Sequence, residues 1–403
     1  MTQNKLPKDW KWISISEIAK IETGTTPSKA IPEYYGDEYP FYKPTDLQAG
    51  LNVYKSNDGL TKLGVDKARY VPENTTLVTC IGATIGKTGF IKKGGGFNQQ
   101  INAIIPNENI LPKFIYYQAI GLNFQKQIKD NASATTLPLL NKSKFQVLKM
   151  AICSLETQQL IVSKIEELFS ELDKGIEDLK LAQQQLKTYR QSVLKYAFVN
   201  ERFTNFILKN VTIKIQIGPF GTQLHKEDYI ENGIPLINPT HIKLGLIVPN
   251  LSFTILKSKR DSLPNYILEI GDVIMGRRGE MGRCGLVSKK EEGWFCGTGS
   301  LFFRPDFDKV HSTFLYYHLR SEEVKKYLEE NAGGTTMANL NLKIVNNIPI
   351  SLPPIEEQYK IVEEIESRLS VADKMEESIN QSLLQAEALR QSILKKAFEG
   401  KLI

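Results

Sequence analysis

The sequence predicts an α+β protein in which two globular α+β parts alternate with two long helices that pack along one another. The first observation behind this is a repeat. Arg190-Gln-Ser-Val-Leu-Lys-Tyr-Ala-Phe returns as Arg390-Gln-Ser-Ile-Leu-Lys-Lys-Ala-Phe, and 156–198 slides onto 356–398 without a gap, with roughly 18 of about 43 positions identical. The second is composition: both copies lack Pro and are rich in Leu, Glu, Gln, Lys and Ala, which lose little rotamer freedom in a helix. The third is a weaker repeat of turn-rich, β-branched sequence ahead of each copy.

The chain of 403 residues allows two to four domains, and its 41% hydrophobic and 24% charged residues are those of an ordinary globular protein. No apolar run approaches the ~18 residues of a membrane span. The N-terminal stretch has no apolar signal core, so no membrane partner and a cytoplasmic location are expected. Cys80, Cys153, Cys284 and Cys296 are scattered without metal spacing and read as buried free thiols. Net charge is +6, yet the two helical segments carry roughly −4, leaving roughly +10 for the rest. Basic globular parts joined by acidic helices suggest a polyanionic partner, with ordinary surface charge as the alternative.

Taken in order, residues 1–154 form the first globular part. Trp10-Lys-Trp-Ile-Ser-Ile-Ser-Glu-Ile-Ala begins a strand or helix, and Ile21-Glu-Thr-Gly-Thr-Thr-Pro reads as a turn. Tyr39-Pro-Phe-Tyr enters a Pro-limited loop, and Thr75-Thr-Leu-Val-Thr-Cys-Ile is a strand. Phe90-Ile-Lys-Lys-Gly-Gly-Gly-Phe suggests a hairpin, and Phe114-Ile-Tyr-Tyr lies on a helix expected to run to about Ile128.

The central long helix occupies 155–202. Its seam is Ile161, Ile165, Leu168, Leu172, Gly175, Leu179, Ala182, Leu186, Tyr189 and Val193, matched by Ile361, Ile365, Arg368, Ala372, Met375, Ile379, Ser382, Ala386, Leu389 and Ile393. Ile161, Ile165, Leu172, Leu186, Ile361, Ile365, Ile379 and Leu389 are the expected helix-pairing residues. A rod of roughly 65 Å cannot bury such a stripe on a small domain, so each copy is expected to pack on the other.

The second globular part, 203–353, repeats the first with a drifting offset. Tyr39-Pro-Phe-Tyr-Lys-Pro-Thr corresponds to Ile234-Pro-Leu-Ile-Asn-Pro-Thr, Ile85-Gly-Lys-Thr-Gly to Met281-Gly-Arg-Cys-Gly, Phe114-Ile-Tyr-Tyr to Phe314-Leu-Tyr-Tyr, and Asn131-Ala-Ser-Ala-Thr-Thr to Asn331-Ala-Gly-Gly-Thr-Thr. Leu352-Pro-Pro-Ile breaks the chain before the distal long helix, 354–403.

Catalytic motifs fail on their counts. Gly82-Ala-Thr-Ile-Gly-Lys-Thr has three residues between its glycines where a phosphate loop needs four, and Gly279-Glu-Met-Gly-Arg-Cys lacks the Lys-Thr. Asn238-Pro-Thr-His lacks the second Pro and the aromatic of the amino-methyltransferase motif. His225, His241, His311 and His318 show no ligand spacing. No metal and no cofactor are expected in this chain.

What remains is basic and polar residues on Gly- and Pro-rich loops: Lys43, Thr45, Lys87, Lys92, Lys93, Gln99 and Gln100 in the first part, and Asn238, Thr240, Arg277, Arg278, Arg283, Lys289 and Lys290 in the second. Arg reads guanine bidentately, Asn and Gln read adenine, and Lys and Thr reach phosphates. Solvated surface is the alternative for any one of them. Arg277-Arg278 stands out because it lies between a buried strand and a glycine turn.

Two α+β parts, each followed by a long helix ending in Arg-Gln-Ser-x-Leu-Lys-x-Ala-Phe, together with Pro353, Pro354, Glu357 and Gln358 opening the second helix, resemble the specificity subunit of type I restriction-modification systems over essentially the whole chain. The resemblance implies two target recognition domains, each reading one half of a split double-stranded DNA site, and helices paired as an antiparallel coiled coil with internal pseudo-twofold symmetry. It also implies partners: methyltransferase subunits, two of them, and restriction motor subunits. S-adenosylmethionine, ATP and Mg would be held by those partners, and adenine N6 methylation and cleavage performed by them. The rival readings are a fused restriction-modification enzyme and a coiled-coil scaffold that binds only protein.

Overall fold

The computed structural model describes residues 6–133, 137–198, 203–221, 223–332 and 339–403. The Thr-Thr parts of the two Asn-Ala repeats and the end of the central long helix beyond Phe198 lie outside them. The chain divides into two units, 1–179 with 380–403, and 180–379. Each unit therefore combines one globular part with a half of each long helix.

In the first unit β1 (Lys11–Ser14) leads through a helical turn into β2 (Ala19–Thr23). Ile21, Glu22 and Thr23, expected in a turn, lie in this strand instead. Then follow β3 (Tyr35–Tyr42), β4 (Asp58–Leu60), β5 (Thr76–Thr79), β6 (Thr88–Phe90), β7 (Gly96–Phe97), β8 (Ile101–Pro106) and, after three helices, β9 (Lys149–Ile152). The main sheet has the order β2-β8-β5-β6, and β4-β3-β7 forms a second, smaller sheet. β1 pairs with β9. The β5 side chains are buried on both faces, which explains its continuous Thr-Leu-Val-Thr run.

Two further expectations are corrected. Phe90 to Phe97 is no hairpin: β6 pairs antiparallel with β5, while β7 pairs parallel with β3. The glycines between them allow the chain to cross to the second sheet, since a Cβ on Gly95 would lie 2.4 Å from the Pro40 carbonyl oxygen. The helix carrying Phe114 is Pro112–Ile120; it breaks at Gly121, whose ψ of 147° is extended, and a separate helix covers Leu122–Asn131.

The second unit repeats the plan with β10 (Thr204–Ile207), β11 (Thr212–Ile217), β12 (Tyr229–Ile230), β13 (Ile234–Ile237), the hairpin β14 (Ile242–Lys243) and β15 (Leu246–Ile247), β16 (Thr254–Ile255), β17 (Val273–Gly276), β18 (Cys284–Leu286), β19 (Phe295–Cys296), β20 (Ser300–Pro305) and β21 (Pro349–Leu352). Its main sheet is β11-β20-β17-β18, its second sheet β12-β16-β13-β19, and β10 pairs with β21. Helix Ser312–Leu319 occupies the place of Pro112–Ile120.

The central rod is one helix of 44 residues, Leu155–Phe198, and the distal rod another of 44, Ile355–Phe398. Ser154 caps the first, accepting from Thr157 N at 3.3 Å. The pairing is antiparallel within each unit: Arg190 Nη1 lies 2.5 Å from Asp373 Oδ1 and its Nη2 2.8 Å from Glu376 Oε2, and Arg390 pairs with Asp173. Arg190 and Arg390 are repeat mates, as are Asp173 and Asp373, so one ion pair occurs twice with the roles of the helices exchanged.

Ile161, Ile165 and Ile365 are buried, while Ile361, Leu172, Leu186 and Ile379 are half-buried. Leu389 departs from the expected seam: it is 51% exposed. Tyr189, Gly175 and Met375 are exposed as well, and the half-buried positions are Ile176, Gln183 and Arg190 instead. The true stripe after Leu172 steps by four before three, because at 3.6 residues per turn a straight helix drifts against a strict heptad. The arginine stems therefore take the places expected for Leu389 and Tyr189, and their guanidiniums meet the acids opposite.

Each rod ends on a globular part. Phe398 meets Phe114 edge-on at 5.4 Å, and its repeat mate Phe198 meets Phe314 at 5.2 Å. Phe198 also covers His318, whose Nε2 lies 2.9 Å from the Pro349 carbonyl and whose Nδ1 has no hydrogen-bond partner among the described residues. Burial pulls the His318 pKa from 6.5 down to about 4. Between these values the unfolded chain binds more protons than the folded one, so the contribution is complete above pH 6.5 and is lost as pH falls toward 4. Chemical denaturation at pH 7 and pH 5 should show a loss of about 1–2 kcal/mol attributable to this group. His318→Gln, which installs the residue found at the repeat position Gln118, should remove that part of the decline.

Candidate nucleic-acid interface

The register of the strands gathers the reading loops. In the first unit Thr23 faces Asn102, Thr79 faces Ile101, and Val78 faces Thr88. The loops 24–28, 80–87 and 98–100 thus leave the same end of the main sheet. Tyr42 lies beside Phe97 in the parallel pair, which brings loop 43–46 to the same end. The second unit repeats this with 218–221, 277–283, 297–299 and 238–241, through Ile217 facing Leu301, Gly276 facing Ser300, Met275 facing Cys284, and Ile237 beside Cys296. Gly24 and its counterpart Gly218 permit the loops to touch: an added Cβ would stand 2.2 Å from the Asn98 carbonyl oxygen in one and 1.9 Å from that of Gly297 in the other.

At the first sheet end Gln99 is exposed and accepts a hydrogen bond from Thr26 Oγ1. Gln100 accepts from Asn98 Nδ2 at 2.9 Å. Thr45 is exposed and Lys87 half-buried. The Lys43 ammonium is engaged with Asp58 at 2.6 Å, and its backbone N donates to Asp46 at 2.8 Å, so this lysine fixes its own loop. Lys92 is not brought to this end. It follows β6 on the far side of the sheet, 4.6 Å over the Phe90 ring, where burial and then Lys113 lower its pKa. Lys93 follows it, and Lys289 and Lys290 lie beyond the corresponding end of β18.

At the second sheet end Arg277 and Arg278 separate. Arg277 is 6% exposed; its Nε donates to the Leu340 carbonyl at 3.0 Å, and its guanidinium lies 6.0 Å from the Phe220 ring centre. Burial, then the charge of Arg278, lowers its pKa. Arg278 is exposed, and among the described residues its side chain makes no hydrogen bond or ion pair. Arg283 is held by Glu280 Oε2 at 2.7 Å and donates to the Pro239 carbonyl at 3.3 Å. Asn238 accepts from Gly299 N at 3.4 Å, and Thr240 is exposed. Gly82 and Gly86, and likewise Gly279 and Gly282, hold left-handed φ between 73° and 103° and keep the turns free of side chains.

The arrangement presents the exposed Gln99 amide and Thr45 hydroxyl at one sheet end and the exposed Arg278 guanidinium at the other, each on a narrow loop backed by a sheet. Those groups suit base edges and phosphates. Sequence reasoning missed Thr26 and Phe220, the latter 61% exposed at the loop end; the available signal was the correspondence of Gly24-Thr-Thr-Pro, read only as a turn, with Gly218-Pro-Phe-Gly.

Burial pushes the thiols of Cys80 and Cys284 up to about 12 and that of Cys153 to about 11, so none is a thiolate at neutral pH. Among the described residues no group of three His, Cys, Asp or Glu side chains is arranged to hold a metal ion, and no helix is long and apolar enough to cross a membrane.

The type I restriction modification DNA specificity domain matches residues 7–181 and 216–385. The chain is 24% identical to the type I restriction enzyme EcoDI specificity subunit of Escherichia coli, over 100% of this chain and 90% of that protein. It is 32% identical to the HindI specificity subunit of Haemophilus influenzae, over 44% of this chain and 39% of that protein. Among solved structures, a chain from a study of complex assembly and conformational transition of the type I R-M system superposes with a TM-score of 0.78 at 19% identity, covering 98% and 99% of the two chains. The HsdS subunit of Thermoanaerobacter tengcongensis gives 0.61 at 18%, covering 99% of each chain.

The two arginines should behave differently in thermal or chemical unfolding. Arg277→Ala strands the Leu340 carbonyl and should cost about 1–3 kcal/mol. Arg278→Ala should stay within about 0.5 kcal/mol of the parent.

Proposed function

The chain belongs to the type I restriction modification DNA specificity family, and we propose that each of its two sheet-end loop clusters reads one half of a bipartite site on duplex DNA. The chain is the non-catalytic DNA recognition subunit of such a complex. The observation that carries the finer reading is the duplication of one loop-gathering sheet end, with different base-reading chemistry in each copy. Gln99 and Gln100, with Thr26 and Thr45, suit adenine and phosphates; Arg278 suits guanine O6 and N7. Lys43 and Arg283 act as struts that shape the loops, and Arg277 ties the arginine loop to the domain core.

In this reading residues 1–154 and 203–353 are the recognition domains, and the rods 155–202 and 354–403 carry the methyltransferase subunits. The repeat favours two such subunits, one for each pseudo-equivalent face, as in other symmetric assemblies. S-adenosylmethionine, ATP and Mg belong to the methyltransferase and restriction motor partners, which perform methyl transfer and cleavage.

The direct test is to methylate genomic DNA with this chain plus its methyltransferase and read the modified motif. A bipartite motif is expected, with no methyl transfer by the chain alone; an undivided motif would overturn the reading. Arg278→Ala should relax one position of one half-site, at a cost of about 1–3 kcal/mol, and leave the other half unchanged. A uniform loss that disappears at low salt would instead assign Arg278 to a phosphate.

The rods offer a second measurement. Four residues inserted after Leu179 and after Ile379 add about 6 Å of helix and roughly one turn to each. With half-site sequences unchanged, the spacer should grow by about one to two base pairs at ~3.4 Å each. An assembled complex that keeps its spacer would show that the rods do not set it.

A further inference from the structure

One polar side chain recurs at the joint between each globular part and the rod that follows it. Gln158 stands in the first turn of the central rod and is 1% exposed; Gln358 stands in the first turn of the distal rod and is fully buried. The Gln158 Oε1 accepts from Leu111 N at 2.9 Å, and its Nε2 donates to the Cys153 carbonyl at 3.0 Å. The Gln358 Oε1 accepts from His311 N at 2.9 Å, and its Nε2 donates to the Lys309 carbonyl at 2.9 Å and to that of Pro353 at 3.0 Å. Leu111 and His311 are repeat mates at the N-caps of helices Pro112–Ile120 and Ser312–Leu319, and Cys153 and Pro353 are mates just after β9 and β21. The same amide therefore ties three pieces together twice: the last strand of the globular part, the helix beneath its main sheet, and the start of the rod.

Apolar contacts fill most of each joint, around Ile161, Ile165 and Phe114 in one unit and Val362, Ile365 and Phe314 in the other; in the first unit a partly exposed pair, Lys113 Nζ to Glu166 Oε1 at 2.5 Å, is added, and such pairs hold little. Apolar contact is non-directional and leaves a rod free to slide or turn by small amounts on its domain. Hydrogen bonds fix direction, and a buried amide with its donor and acceptor both engaged admits one orientation. The partners change between the copies, Leu111 to His311 and Cys153 to Pro353, and so do the neighbours Thr157 to Glu357 and Gln159 to Tyr359. The bonds run to backbone groups, so the clamp persists while the side chains around it differ.

We propose that Gln158 and Gln358 are positioning residues that set the angle of each recognition domain on its rod, and thereby the spacer length the protein accepts between half-sites. A turn at the joint is carried through the main sheet as a displacement of the loops at its far end. The residues touch no DNA, so half-site sequence preference is independent of them. This rests on the bipartite reading above.

The test uses the complex of the full chain with its methyltransferase subunits. Methylation rates are compared on duplexes carrying the wild-type motif and on duplexes with the spacer one base pair shorter or longer. Gln358→Met and Gln158→Met keep the volume and remove the bonds; Gln358→Asn and Gln158→Asn are milder, keeping an uncharged amide donor and acceptor on a shorter stem. The Met variants should lose at least tenfold of the preference for the native spacer, while preference among half-site sequences changes less than twofold. An assembled variant with unaltered spacer preference, or an equal loss on every duplex, overturns the proposal. So does failure of both the Met and the Asn variants to assemble, which would make the amide a folding determinant alone. A wild-type complex without a bipartite motif would instead remove the reading beneath it.

Discussion

A helix of 44 residues cannot bury its apolar stripe on a domain of about 150 residues, and this mismatch organises the protein. The stripe needs a partner of similar length, and the repeat supplies one. Antiparallel pairing then returns the end of each rod to the other globular part, where Phe198 caps Phe314 and Phe398 caps Phe114. The first unit is consequently not contiguous in sequence: 1–179 closes with 380–403. Neither globular part completes its core with its own rod alone, since Val193 and Phe198 belong to the second core and Ile393, Leu394 and Ala397 to the first.

Charge enforces the direction of that pairing. Arg190 meets Asp373 and Glu376, and Arg390 meets Asp173. These pairs are partly exposed, and exposed pairs contribute little to stability. Their value lies in discrimination: a shifted or parallel alignment would set the half-buried guanidiniums against apolar side chains without an acid, an expensive arrangement. Arg390 also lies 4.4 Å from the Phe169 ring centre, so its stem and charge both serve the interface.

The sheet ends show how one frame carries two specificities. Strand register is dictated by the buried faces, because a one-residue slip would turn every side chain of a strand to the wrong side. The loops leaving one end are under no such demand and vary freely, so Asn98-Gln-Gln in one copy stands where Gly297-Thr-Gly stands in the other. Glycines at the close approaches, such as Gly24 and Gly218, are retained because backbone occupies the space of a Cβ.

Sequence alone determined the parts that depend on local pattern. The ungapped repeat, the Pro-free amphipathic stretches and the Pro-limited starts dictate two long paired helices, and the turn-punctuated β-branched runs dictate the α+β parts between them. Tertiary structure decided what depends on neighbours distant in the chain. A heptad template cannot register the drift of a real helix, so Leu389 lies outside the stripe that Arg390 enters. A glycine run cannot announce that β7 leaves β6 to pair in parallel with β3. Above all, adjacent arginines are alike in sequence, and only the fold separates them. Arg277 is drawn inward because the Leu340 carbonyl needs a donor, while Arg278 is left facing solvent one residue further along the loop.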